Sequence, residues 1–184
     1  MLKKILIIIG VIVVVFVIVV ALQPADYRVE RTATVAAPAE RVFAQVNDLK
    51  KWEAWSPWVK IDPTMKQTYE GPASGTGAIS RWAGNNQVGE GSMTITESRP
   101  NELVRFRLDF VKPFEGTATA DFTFRPQGKQ TVVAWTMAGE NNFIAKAAGL
   151  FMDCDKMIGE QFEKGLADLK KLAESPTATV AQVR

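Results

Sequence analysis

The sequence predicts an α+β domain behind one membrane-spanning helix, its antiparallel sheet curved around a long C-terminal helix. Three observations carry this expectation. Residues 5–22 are apolar without a charge or an amide among them. Between residues 27 and 137, short segments alternate apolar and polar side chains between turn-forming residues. From Phe151 the period changes to steps of three and four. Alternation gives a sheet one buried and one wet face, which is how antiparallel pairing reads in sequence.

The N-terminal run is long enough to cross a bilayer, since its 18 residues at about 1.5 Å each span roughly 27 Å. Val and Ile dominate it; they are poor helix formers in water, but lipid forces the backbone to bond internally. A cleaved signal peptide is the rival reading. Its apolar core is usually about 7–15 residues, and Val19-Val20-Ala21 only loosely resembles a cleavage site. Lys3 and Lys4 precede the run, whereas Arg28 beyond it is soon balanced by Glu30. That bias places the N-terminus inside and the domain outside. The expected organisation is an anchor and linker over residues 1–25, a domain over 26–173, and a disordered tail over 174–184.

Within the domain, Tyr27 to Val35 reads as a strand in which Arg31 breaks the apolar face. Pro38 suits a helix start, and Val42, Phe43 and Val46 give that helix an apolar side. Residues 47–59 read as a helix exit and loop, because Pro57 argues against continuing the helix. Met65–Glu70, Gly77–Ala83, Val88–Glu97, Glu102–Phe110, Thr117–Phe124 and Thr131–Met137 read as six strands separated by turn signals such as Gly84-Asn85-Asn86. A short helix is expected over Phe143–Phe151 and a long one over Met152–Leu172. Phe151, Cys154, Ile158, Phe162, Leu166, Leu169 and Leu172 form an apolar stripe on these helices, which needs the sheet as its partner.

Composition narrows the function. The chain has 22 basic residues, which leaves 20 once Lys3 and Lys4 are set aside, against 20 acidic ones. A formally neutral domain without a basic block gives no reason to expect nucleic acid. There is no histidine and one cysteine, so neither an internal disulfide nor a dedicated metal site is expected, and no cofactor.

The order of elements resembles the START-like or Bet v 1-like helix-grip fold. More narrowly, the chain resembles the SRPBCC superfamily and its polyketide cyclase/dehydrase-like branch. Four stretches carry this: PAERVFAQVNDLKKWEAWSPW at 38–58, GPASGTGAISRWAGNNQVGEG at 71–91, FVKPFEGTATADFTFRP at 110–126 and GLFMDCDKMIGEQFEKGLADLKK at 149–171. The resemblance covers residues 27–173 and extends to small membrane-anchored bacterial proteins. It implies a hydrophobic pocket between the sheet and the C-terminal helix. The apolar run and the lysines before it give the expected location, a single-pass protein of the inner (cytoplasmic) membrane with an extracytoplasmic domain.

The expected partner is therefore a hydrophobic small molecule or lipid, with the membrane engaged through residues 5–22. Trp82, Phe106, Phe122, Trp135 and Met137 fall on inward faces, and Ile158 and Phe162 face them from the helix. Trp55 and Trp58 belong to a run, Trp52-x-x-Trp55-x-x-Trp58, that either rims a pocket or plugs the sheet as core. Tyr69 and Tyr27 offer phenolic hydroxyls to a carbonyl ligand. Burying any of these apolar side chains already stabilises a fold by roughly 1.5–3 kcal/mol, so core packing explains them equally well. Ala118 and Ala120 either leave room for a guest or admit close helix packing.

Two other functions compete. An enzyme would use Glu90 or Glu140 as acid or base, with Tyr69 or an asparagine orienting a carbonyl. An envelope interaction domain would use the tryptophan run as its contact surface. Arg81 is a candidate partner for Glu90 across a hairpin, Asp121 belongs on the wet face, and Cys154 reads as a small core residue on the helix stripe rather than a nucleophile.

Overall fold

Why the chain takes this shape begins with its first helix. In a computed structural model describing residues 2–175, the apolar run forms α1 (Leu2–Ala21), with Val20 as its one buried residue. Four residues, Leu22–Ala25, lead to β1 (Asp26–Val35). Then follow α2 (Ala39–Val46), a 3₁₀ helix (Leu49–Ala54) and α3 (Pro57–Ile61). Six strands come next: β2 (Lys66–Glu70), β3 (Ile79–Ala83), β4 (Glu90–Arg99), β5 (Leu103–Lys112), β6 (Gly116–Gln127) and β7 (Gln130–Glu140). The chain closes with α4 (Phe143–Gly149) and α5 (Cys154–Glu174). The tail from residue 176 onward, expected to be disordered, lies outside the described residues.

The seven strands form one antiparallel sheet in the order β1-β7-β6-β5-β4-β3-β2. Hairpins join β2 through β7 into a meander, and β1 closes it along β7. Register shifts between Glu90 and Gly91 and between Ile95 and Glu97 bend β4 and help the sheet curl. α5 packs along β1 on the concave face and completes the helix-grip arrangement that the alternation and the helical stripe predict.

Two local expectations are corrected. Residues 47–59 are not a loop but two short helices. Asp48 caps the 3₁₀ helix by accepting the Lys50 N–H at 3.1 Å, and Pro57 opens α3 rather than merely ending a helix. The long helix begins at Cys154, because Asp153 caps it by accepting the Lys156 N–H at 2.9 Å. Cys154 is therefore exposed and Phe151 is 81% exposed, so neither belongs to the core. The buried stripe starts further along, at Gly159 and Phe162.

Arg31 breaks the alternation for a reason the helix supplies. It lies on the concave face of β1, where α5 crosses, and its guanidinium donates to Glu163 at 2.9 Å and to Asp155 at 2.9 Å. The guanidinium fills the space a Cβ at Gly159 would need, so the glycine lets the two elements approach. Outside, Asp121 receives both branches of the Arg105 guanidinium at 2.8 and 2.9 Å, on the wet face as expected.

Candidate functional site

The concave face divides into two halves. One end of the sheet carries the start of β1 and hence the linker to α1; it also carries the end of β7, the β5–β6 turn and the β3–β4 turn. The opposite end carries α2 and the 3₁₀ helix. The tryptophan run descends from there into the grip.

In that far half the aromatic side chains pack on one another. Trp135 stacks on Phe162 with ring centres 4.0 Å apart, and lies 4.7 Å from Phe122. Trp52 meets Phe106, Phe122 and Trp135 edge-on at 5.4–5.9 Å and sits 4.4 Å from Trp55. Trp58, half-buried, reaches Trp135 and Phe162 at 5.8 and 6.3 Å. Such edge and offset contacts add about 0.5–1.5 kcal/mol per pair beyond burial. Both buried indoles find acceptors: Trp52 Nε1 donates to the Val46 carbonyl at 2.9 Å, and Trp55 Nε1 to the Gln45 carbonyl at 3.3 Å.

Of the ten residues expected to line a pocket, Trp55, Trp58, Phe106, Phe122, Trp135 and Phe162 are thus brought together. They touch one another, and Trp55, Phe106 and Phe122 are wholly buried. Met137 is buried in the same core. Trp55 accordingly has no surface to offer a partner protein. Trp52, the first residue of the tryptophan run, joins this cluster and takes the core-plugging role that the run allowed.

The half next to the linker is different. Trp82, Met93, Leu108, Phe110 and Ile158 are half-buried, and Trp82 meets only Phe110 among the aromatic contacts, at 6.0 Å. Small residues, Gly91, Ala118, Ala120 and Gly139, run between them. The Trp82 ring lies over Gly91 and the Tyr27 ring over Gly139, each within 3 Å of where a Cβ would stand. Beside Tyr27 a cleft of about 570 Å³ opens between the linker, α4 and the start of α5. Pro24, Tyr27, Leu150, Phe151 and Met152 give it apolar walls, and Asn141, Lys146, Asp153 and Cys154 give it polar ones. Burial, with the Cys154 side chain adding to it, holds the Tyr27 phenol above its ordinary pKa, so it stays a neutral hydrogen-bond donor.

Tyr69 stands apart on the edge strand β2. Its hydroxyl donates to Glu53 at 2.7 Å, it lies 3.1 Å from Gln67 Oε1, and it flanks a separate cleft of about 180 Å³. Burial first, then the Glu53 carboxylate, raises its pKa well above that of a free phenol. The structure does not assemble Tyr69 with Glu90 and Glu140. Glu140 is exposed at the end of β7, and Glu90 is held by Lys112 Nζ at 2.7 Å. β6 and β5 lie between β7 and β4, so three strand spacings of about 4.8 Å separate the backbones that carry these two carboxylates. Arg81 pairs with Glu70 at 2.8 Å, not with Glu90, because the hairpin register sets Ala83 opposite Glu90. Among the described residues no cluster of acidic or cysteine side chains could hold a metal ion.

Residues 26–174 match the family described as polyketide cyclase / dehydrase and lipid transport. The chain belongs to that family. Solved structures of the same polyketide cyclase/dehydrase-like fold include protein CV1439 from Chromobacterium violaceum, which is 16% identical. It overlays with a TM-score of 0.58 on 84% of this chain and 100% of its own. The Aha1 dimer from Colwellia psychrerythraea is 16% identical, with a TM-score of 0.59 over 80% of this chain and 96% of that one. The di-domain ARO/CYC BexL from the BE-7585A biosynthetic pathway is 14% identical, with a TM-score of 0.61 over 88% of this chain and 54% of that one. At such identities the likeness is one of fold. No curated protein matches the sequence.

Proposed function

We propose that this chain is a membrane-anchored binding module for a hydrophobic or amphipathic small molecule, held in the half of the grip beside the anchor. The observation that carries this reading is the contrast within one concave face. Aromatic rings fill the far half, whereas Trp82, Met93, Leu108, Phe110 and Ile158 stay partly exposed around a line of glycine and alanine. Half-covered apolar side chains lining a concavity are where a guest gains most by excluding water. Tyr27, Asn141 and Lys146 at the cleft offer polar atoms to a headgroup or carbonyl. In this reading Phe106, Phe122, Trp135 and Phe162 form the floor beneath the guest, and Trp55 and Trp58 hold the floor in place. α1 spans the bilayer once, with Lys3 and Lys4 on the cytoplasmic side.

The test is native mass spectrometry of the full chain released from nanodiscs. Wild-type protein should retain an adduct of lipid size. Leu108→Gln, which sets an amide among the half-exposed side chains, should lose most of it while melting near the wild-type temperature. Bare protein in both cases would end the binding reading.

A further inference from the structure

Seven strands bring an unusual set of exposed side chains to the end of the sheet from which the linker departs. Val111 and Phe114, at the end of β5 and in the β5–β6 turn, are 54% and 61% exposed. Phe143 and Ile144 open α4 and are about as exposed, and Phe151 and Met152 follow α4. These residues come from three separate segments, yet all lie at the linker end. A monomeric domain rarely gathers so much apolar surface without a partner for it.

The partner is indicated by the tether. From Ala21 to Asp26 the chain has five peptide steps, which at full stretch span no more than roughly 18 Å. The last turn of α1 packs against α4, burying Val20 completely, and the Asn141 N–H donates to the Ala25 carbonyl at 2.6 Å. The linker is thus drawn in rather than extended. Any bilayer crossed by α1 therefore lies next to the end of the sheet that carries these six side chains.

We propose that this apolar end docks into the interface of the bilayer that α1 crosses, so that the domain lies against the lipid surface instead of swinging free above it. The proposal rests on the reading of α1 as a membrane span. Charges around the end are mixed, Lys112 and Lys146 against Glu115 and Asp153, so insertion of apolar side chains drives docking and anionic lipid is not required. The cleft beside Tyr27 then faces lipid.

The experiment places a fluorescent thiol probe at single sites in a Cys154→Ser background of the full chain. The protein is reconstituted in vesicles of zwitterionic phosphatidylcholine containing nitroxide-labelled lipid. Val14→Cys reports the span, Phe114→Cys and Ile144→Cys the proposed contact, and Lys129→Cys the opposite end of the sheet. Docking predicts that the probes at 14, 114 and 144 lose most of their emission to the lipid nitroxide. The probe at 129 should keep its emission and remain open to aqueous iodide. Quenching at 14 with 114 and 144 behaving like 129 would overturn docking while leaving the anchor intact. No quenching at 14 would overturn the anchor and docking with it. Quenching at 114 and 144 that occurs only with added anionic lipid would overturn the apolar mechanism.

Discussion

The far half of the grip and the half beside the anchor are built from the same strands, yet one is solid and the other is not. In the far half β5, β6 and β7 contribute Phe106, Phe122 and Trp135, and the helical segment after α2 lowers Trp52 and Trp55 onto them. Further along these strands toward the anchor, β6 offers Ala120 and Ala118 and β7 offers Gly139, while β4 offers Gly91; single rings, Trp82 over Gly91 and Tyr27 over Gly139, lie on the two glycines. The difference teaches that a helix-grip sheet does not by itself enclose a pocket. Whether space remains depends on how much side chain the segment between β1 and β2 pushes in, and from which end.

The sharpest way to break this comparison is to remove one ring from each half. Trp55 is wholly buried, so Trp55→Ala leaves a large cavity and should cost about 3–5 kcal/mol. Trp82 is only partly buried and meets one ring, so Trp82→Ala should cost less, roughly 1–2 kcal/mol, because part of its surface already meets water. Urea unfolding of the full chain in detergent, followed by far-UV circular dichroism, measures both. Equal losses would mean that the two halves are packed alike.

A smaller effect is expected where α5 meets the solid half. A Cβ at Gly165 would stand 2.8 Å from the Trp135 ring and 3.0 Å from Pro57 Cδ. Neither neighbour can move without disturbing the ring stack, so Gly165→Ala should cost about 1–3 kcal/mol despite its better helix propensity. Gly149, at the end of α4, has no atom within 4 Å of its Cβ position, and Gly149→Ala should be close to neutral. The same denaturation measurement separates the two; a stabilised Gly165→Ala would show that the stack has slack.

Much of this fold was legible because periodicity reports which side of an element is buried. The strands fall within a few residues of where alternation puts them, and the stripe from Phe162 through Leu169 faces the sheet as its spacing requires. The line between packed and open halves was not legible. Phe106 and Phe110 are equivalent by alternation, but one is wholly buried and the other half-buried, and only the descent of Trp52 distinguishes them. Phe151 and Cys154 looked like core for a similar reason. Their spacing continues the stripe, whereas the cap at Asp153 starts the helix at Cys154, leaving Phe151 outside it and Cys154 exposed in its first turn. Arg31 reads as an irregularity in β1 because its partners, Asp155 and Glu163, lie more than a hundred residues away in sequence.

The least effect, and the one that depends on pH, concerns the tie between the two halves. Asp62 ends α3 on the tryptophan side and accepts the Asn85 N–H, in the β3–β4 turn at the anchor end, at 2.7 Å. It also accepts the Thr64 hydroxyl at 2.7 Å and the Thr64 N–H at 3.0 Å. The Thr64 hydroxyl first and the Asn85 N–H second hold its carboxyl below the ordinary value of 3.8, against a partial opposing effect of desolvation. A pKa lower in the folded than in the unfolded state contributes stability at and above the unfolded value, and loses it as the pH falls through the folded one. Asp62→Asn should therefore melt below wild type by a constant interval near neutral pH. That interval should shrink once the buffer is more acidic than an ordinary aspartate. Because the hydrogen bonds hold the β3–β4 turn, the loss should appear first as faster amide exchange at residues 84–89, ahead of the aromatic half. An interval that persists unchanged into strong acid would mean that the carboxylate's charge has no part in joining the halves.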